Sequence, residues 1–584
     1  MNARLSRTLL AVAIAAALPL LLSACDDNDD APPTTVRDTA YGRVEGTADA
    51  ATGTYSWKGV PYAKPPVGAL RWKAPVDPDA WTDTRKTQQF GNACVQYGRI
   101  YGPGANNTYD ATIGTTLNQA VGQEDCLYLN VWRPTTNEGN LPVIVFVHGG
   151  SNVSGYTADP VYDGAALAKA ANAVVVTVNY RLGIFGWLSL PQLKDGSSAE
   201  NDSGNFAILD LVKAMRFVNR NAAAFGGNPG NVTLMGQSAG AIDVYALMVS
   251  PLMVNASPQL FHRAVPLSGG LSLLTNLPAG TLIPTMNALP VAQAQGTALL
   301  QQAVIADGLA TDVPSAQAYI AGRTSAQLAD YLRGKTPAAL LGLLLTRLAP
   351  QGLASTTPIP EGTVVPTDAI AAIKAGRYVK VPILAGNTRA EGKLFPTFLA
   401  LSPTLGGASG RLVTDAQLVS IQAGYQPDAA PQIGIEQWIP ASLLPVTTPT
   451  TGFNARTAQL DNAFLLASSN NMMQALKGQQ SNLWYYRFDW DEEPAPWNDI
   501  YGAAHLFDMP FIFGTFGPSV FANVTNSTAN RPGRLALSGA MMQSLAAFAR
   551  NGDPNNAALG VTWPTWPSKL IFDATKTDKV ISVQ

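Results

Sequence analysis

Asn231-Val232-Thr233-Leu234-Met235-Gly236-Gln237-Ser238-Ala239-Gly240 is the stretch on which the fold turns. Its first half is a short run of β-branched and long apolar residues, the composition of a buried strand. Its second half has the form G-x-S-x-G and runs into Ala241-Ile242-Asp243-Val244-Tyr245-Ala246-Leu247-Met248-Val249, an apolar helical segment. A strand that turns sharply into a helix at a serine pushes the hydroxyl out beyond the sheet. The flanking glycines suit a turn too crowded for a Cβ. The N-terminus of the following helix favours negative charge beside the serine. Ser238 is therefore the candidate nucleophile.

Further runs of the same kind lie on both sides. Leu141–Val147 (LPVIVFV) ends in His148-Gly149-Gly150, and residues 173–178 (AVVVTV) end in Asn179-Tyr180-Arg181. Residues 381–385 (VPILA) and Leu483–Phe488 (LWYYRF) complete the set. Strands apolar at every position suit a parallel sheet covered by helices on both faces. Strand and helix segments alternate, which predicts an α/β fold with a central, mostly parallel sheet. Open sheets of this kind carry their chemistry beyond the carboxyl ends of the strands. Residues 271–375 and 396–450 lack period-2 runs and read as helices and loops. Either they cover the active-site edge of the sheet or they pack without touching substrate.

A serine hydroxyl needs a base. The chain has three histidines, His148, His262 and His505. His148 belongs to the His-Gly-Gly turn, and His262 reads as a partly exposed residue at a helix end. His505, in the loop after Leu483–Phe488, remains as the candidate base. A carboxylate should orient its ring. Glu391 closely follows the 381–385 strand and lies between Ser238 and His505 in chain order, as does the chain order of one hydrolase class. Asp368 and Asp415 occupy the same interval without following a clear strand, and stay open as alternatives. The turn after Leu141–Val147 offers backbone N–H groups to an oxyanion, so Gly150, Ser151 and Ala239 are the candidate donors.

The 584 residues are 47% apolar and 13% charged, with a net charge of −2. That supports a large core and argues against disorder. It also lacks the basic footprint of a nucleic-acid binder. At the N-terminus, Arg4 and Arg7 precede an apolar stretch at 8–22 that falls short of the ~20 residues needed to span a membrane. The stretch ends in Leu22-Ser23-Ala24-Cys25, which resembles a bacterial lipobox with Cys25 as the lipidated residue. An ordinary cleaved signal peptide is the alternative. Asp26-Asp27-Asn28-Asp29-Asp30 and Pro32-Pro33 read as a polar tether. The expected organisation is a signal peptide at 1–24, a lipidated cysteine and tether at 25–38, and one domain at 39–584. The protein is expected in the cell envelope or periplasm, touching the membrane through its anchor alone. Cys94 and Cys126 are then the remaining pair, either a disulfide formed on export or two buried thiols.

Taken in order, these residues resemble the type B carboxylesterases, a family that includes the cholinesterases. The resemblance covers roughly residues 39–570. It rests on Gly59-Val60-Pro61-Tyr62-Ala63, Leu70-Arg71-Trp72, Glu124-Asp125-Cys126-Leu127-Tyr128-Leu129-Asn130, the His148 turn, Asn179-Tyr180-Arg181, Phe225-Gly226-Gly227-Asn228-Pro229, the Ser238 turn, Glu391-Gly392, His505 and Gly552-Asp553-Pro554-Asn555. The resemblance implies the α/β-hydrolase fold, a triad of Ser238, Glu391 and His505, and a Cys94–Cys126 disulfide. It also implies structural ion pairs between Arg71 and Glu124 and between Arg181 and Asp210.

The departures from the family pattern carry information. Ser151 replaces the third glycine of the oxyanion turn and disfavours esters of bulky tertiary alcohols. Gln237 stands where cholinesterases have Glu, and no Trp lies between Cys94 and Cys126; Tyr97, Tyr101 and Tyr109 are there instead. A quaternary ammonium needs aromatic faces and negative charge, so choline esters are not expected. Asp243 replaces a usual Ser five residues after the nucleophile. The implied activity is cofactor-free and metal-free hydrolysis of small neutral esters, apolar or aromatic, through an acyl-enzyme. A lipase or an amide- or carbamate-cleaving hydrolase would use the same residues. A non-catalytic binding protein on this scaffold would typically lack the nucleophile that this chain retains. Oligomeric state has no signal in the sequence.

Overall fold

Strands that are apolar at every position have two covered faces, and the structure shows what covers them. The computed structural model describes residues 34–584 apart from 276, 279, 280, 355 and 402–413. The signal peptide, Cys25 and most of the tether thus lie outside the described residues. Residues 36–38, read from sequence as the end of the tether, belong instead to a strand, Val36–Thr39, that pairs with Gly42–Glu45.

The main sheet has eleven strands among the described residues. In chain order they are β1 (Thr47–Asp49), β2 (Thr54–Pro61), β3 (Tyr128–Pro134), β4 (Leu141–Val147), β5 (Val174–Val178), β6 (Gly227–Gln237), β7 (Arg263–Leu267), β8 (Ile383–Thr388), β9 (Leu483–Phe488), β10 (Leu570–Ala574) and β11 (Lys579–Val583). Across the sheet the order is β11-β10-β9-β8-β7-β6-β4-β5-β3-β2-β1. The run from β5 through β4, β6, β7, β8 and β9 to β10 is parallel. Antiparallel strands close both edges.

Alternate side chains of β4 serve opposite faces, as period 2 requires. Val143, Val145 and Val147 join one core with α2 (Phe206–Asn221) and α3 (Ala239–Val249). Ile144 and Phe146 join another with α1 (Ala165–Ala171) and α5 (Arg531–Asn551). On α5 the buried residues Leu537, Met541, Leu545 and Phe548 recur at helical spacing and make one apolar stripe. Burying each such side chain contributes about 1.5–3 kcal/mol relative to exposure.

Helix α4 (Leu289–Ala306) and the short helices after it build most of the 271–375 region, as its composition suggests. Leu299, Leu300, Ala303 and Val304 pack into the core on the α2 and α3 side. Cys94 and Cys126 form a disulfide with Cα atoms 4.9 Å apart. Arg71 donates Nε to Glu124 at 2.6 Å, and Arg181 donates twice to Asp210 at 2.7 and 2.8 Å. Both pairs implied by the resemblance therefore form. Among the described residues no helix is long and apolar enough to cross a membrane.

Candidate active site

The parallel strands β5, β4, β6, β7, β8 and β9 present their carboxyl ends along one edge. In that order they are followed by Tyr180, His148, Ser238, Ser268, Glu391 and, after a longer loop, His505. Ser238 holds φ 59° and ψ −123° between β6 and α3. A Cβ on Gly240 would lie 2.1 Å from the Val147 carbonyl, and one on Gly149 would lie 2.8 Å from the Ser238 Cβ. Only glycine lets the His148 turn come this close to the serine.

Glu391 and His505 are 114 residues apart, and backbone pairing brings their loops together. Ala390 bridges to Ala504 in parallel, and the Ala390 N–H donates to the Ala503 carbonyl at 2.9 Å. His505 Nδ1 bonds directly to Glu391 Oε2, with both side chains buried. The other carboxylate oxygen accepts from Ser268 Oγ at 2.7 Å and from the Thr388 N–H at 2.8 Å. The Glu391 carboxylate is thus fixed from three directions. Asp368 instead caps the short helix Ala369–Lys374, and Asp415 pairs with Arg99 at 2.7 Å.

With Nδ1 bonded to Glu391, the free lone pair of the ring is on Nε2. It faces the Gln237 side-chain amide nitrogen at 3.1 Å. Among the described residues no hydrogen bond joins Ser238 Oγ to the ring, although both residues line one cavity. Such contacts are often long before substrate binds. His148 is buried and stacked on Tyr180 at 4.7 Å, and burial pushes its imidazole down to about 4. His262 does not end a helix: it leads into β7, and its Nδ1 accepts from the Val232 N–H at 3.2 Å. It is a strand-edge residue remote from the cavity lining.

The turn after His148 is left-handed throughout, with φ 108° at Gly150, 56° at Ser151 and 59° at Asn152. No hydrogen bond from the Gly150 or Ser151 N–H is present among the described residues. Ala239 is the first residue of α3, where an N–H has no partner within the helix. Both features leave donors free beside the serine.

The cavity has a volume of about 270 Å³. Tyr101, Phe395, Phe398, Leu418, Trp438 and Tyr501 give it an apolar wall. Phe395 sits 5.1 Å from the His505 ring and within 5.6 Å of both Phe398 and Phe464. Four charged residues also reach the wall. Arg99 pairs with Asp415, and Lys393 donates to the Asp499 carbonyl at 3.0 Å. Asp159 accepts from the Val161 N–H at 3.0 Å, and burial pushes its carboxyl up to about 6. The 396–450 region lines the cavity through residues such as Phe398, Leu418 and Trp438, whereas no described residue of 271–375 is among those lining it. Of the two covering regions proposed from composition, one shapes the pocket and the other packs against the core.

Sequence reasoning missed Gln237 at Nε2, Ser268 and Thr388 at Glu391, and the Phe395 cluster. The sequence marked Gln237 as a departure from the family pattern but gave no sign of its contact with the ring. Nothing local marks Ser268, since its role follows from β7 lying next to β8.

An interrupted, mainly parallel sheet with a strand–serine–helix turn at its centre defines the α/β-hydrolase fold. Comparison with known proteins narrows this. The chain belongs to the carboxylesterase family, whose profile matches residues 33–581. It is 30% identical to the para-nitrobenzyl esterase of Bacillus subtilis over 92% of this chain and 95% of that protein. It is 31% identical to the fumonisin B1 esterase of Sphingopyxis macrogoltabida over 92% and 84% of the two chains. A solved PNB esterase structure superposes with a TM-score of 0.68 at 26% identity, covering 94% of this chain and 97% of that one. The protein is a carboxylesterase.

Proposed function

We propose that Ser238 is the nucleophile, His505 the general base and Glu391 the carboxylate that orients it. The observation that carries this reading is the buried His505–Glu391 bond, which leaves Nε2 as an acceptor on the wall of the cavity that Ser238 also lines. Substrate entry displaces the Gln237 amide from Nε2. Ser238 Oγ then adds to the ester carbonyl as its proton passes to Nε2. The oxyanion forms against the N–H groups of Gly150, Ser151 and Ala239. Collapse releases the alcohol, protonated by His505, and leaves the acyl group on Ser238. Water, deprotonated by the same imidazole, repeats the sequence and frees the acid.

The substrate is a neutral, apolar or aromatic ester. The support is the Phe395, Phe398 and Trp438 wall, together with the pairing of Arg99 with Asp415 and the bond of Lys393 to a backbone carbonyl. The name of one relative, para-nitrobenzyl esterase, agrees with an aromatic ester. Two measurements test this. Ser238→Ala should lower kcat on a p-nitrophenyl ester by about 10⁴-fold or more; wild-type turnover in the purified variant would overturn the assignment. In a panel of neutral and anionic esters of equal size, a higher kcat/KM for the anionic ones would contradict the pocket reading.

We also infer that the protein is exported and anchored through Cys25, on the strength of Leu22-Ser23-Ala24-Cys25 and the acidic tether after it. Cys25→Ala should move the enzyme from the membrane fraction to the soluble one or block its processing. An unchanged membrane-bound fraction would contradict the anchor.

A further inference from the structure

Asp243 is fully buried on α3, one turn beyond the serine, where no mechanistic step calls on it. Its Oδ1 lies 3.3 Å from Asn152 Nδ2, and its Oδ2 has no hydrogen-bond partner. Asn152 is also buried and ends the oxyanion turn. On its far side, Asn152 Oδ1 lies 3.1 Å from the Tyr180 hydroxyl, which is itself 2.7 Å from the His148 carbonyl. A chain of polar groups thus runs from the nucleophile's helix to both ends of the turn.

Counting hydrogens decides how the chain is wired. The Tyr180 hydroxyl has one hydrogen, yet two carbonyl-type oxygens face it. Turning the Asn152 amide over removes the conflict, since its O and N are alike in size and only hydrogen bonding distinguishes them. Then Asn152 donates to the Tyr180 oxygen, and Tyr180 donates to the His148 carbonyl. The Asn152 oxygen now faces Asp243 Oδ1, and two oxygens at that distance bond only if one carries a proton. A neutral carboxyl also tolerates an unpartnered Oδ2 far better than a carboxylate does. Burial independently holds this carboxyl well above the usual carboxylate range.

We propose that Asp243 is a positioning residue: it donates a hydrogen bond to Asn152 and so holds the Gly150–Ser151–Asn152 turn with its amides aimed at the oxyanion. The turn needs such a hold. Ser151 and Asn152 both sit at left-handed φ, and for serine this conformation persists only where surroundings enforce it. The Gly183 N–H, which donates to the Asn152 carbonyl at 2.7 Å, fixes the backbone from the other side. The inference rests on the Ser238 mechanism above and adds a determinant of its rate.

The test is steady-state kinetics on a p-nitrophenyl ester, with folding checked by thermal melting. Asp243→Ala and Asn152→Gly should each lower kcat by about tenfold or more while KM stays within about threefold, because the amides act on the transition state. Glycine at 152 keeps the left-handed backbone, so this variant carries the test if Asp243→Ala does not accumulate. The double variant should be no worse than the poorer single one, as expected for one shared link. Asp243→Asn, a neutral donor of the same shape, should recover most of the rate. A smaller fall in kcat for the folded single variants, additive losses, or an Asp243→Asn as impaired as Asp243→Ala would each overturn the proposal. Ser238→Ala run alongside separates the two claims: if it retains activity the mechanism itself fails, and if it is dead while Asp243→Ala is normal, this inference alone fails.

Discussion

Gln237 faces the one lone pair of His505 that the proposed mechanism uses. It is an uncharged donor, so it can yield to the serine without leaving a charge beside the ring. Replacing it by Glu would place an anion about where the amide sits and favour the protonated imidazole. In Gln237→Glu the acid limb of the pH profile of kcat/KM should therefore move to higher pH, whereas in Gln237→Ala it should stay near that of the wild type. Identical profiles for wild type and Gln237→Glu would mean that the side chain at 237 does not face the ring in solution. At this scale the sequence was legible where chain order and strand context constrain a residue, as at Ser238, His505 and Glu391. It was silent where a contact is set by strand neighbours, as with Ser268, which reaches Glu391 only because β7 lies beside β8.

Elements bring these residues together through their ends. The strands β4, β5, β6, β8 and β9 could be read from continuous apolar runs because both faces of the sheet are covered. The others escaped that reading; among them the edge strands β1 and β11 are largely exposed and carry no such run. The His262 error has the same origin: a histidine before an apolar segment says nothing of whether a helix or a strand precedes it. Between elements, Arg181 and Asp210 tie the turn after β5 to α2 with no access to water. Arg181→Met should cost about 3–5 kcal/mol in urea unfolding, because it strands a buried carboxylate. Adding Asp210→Leu should return most of that loss. A single variant within 1 kcal/mol of wild type, a threshold of roughly one ordinary hydrogen bond, would contradict a desolvated pair.

On the scale of the molecule, the fold carries buried acids that sequence alone could not locate. Glu493 is buried, and burial pushes its carboxyl up to about 8. Its folded value lies above its unfolded one. Between those values the unfolded chain binds fewer protons, so stability falls as pH rises through the window and is greatest below it. Glu493→Gln removes the ionisation, so its Tm advantage over wild type should widen from pH 5 to pH 8. A constant difference would mean that the group is solvated. The pocket shows a parallel limit: 271–375 and 396–450 have similar compositions, yet only the latter reaches the cavity. Which surface a helix covers depends on its place around the sheet, and composition does not encode that.

The central claim is that one serine, Ser238, is made nucleophilic by His505 and Glu391. Intact-mass and peptide mapping after treatment with a fluorophosphonate tests it most directly. One adduct per chain is expected, on Ser238, formed at a rate that collapses in His505→Ala. An unlabelled wild type, or an adduct on any other residue, would contradict it.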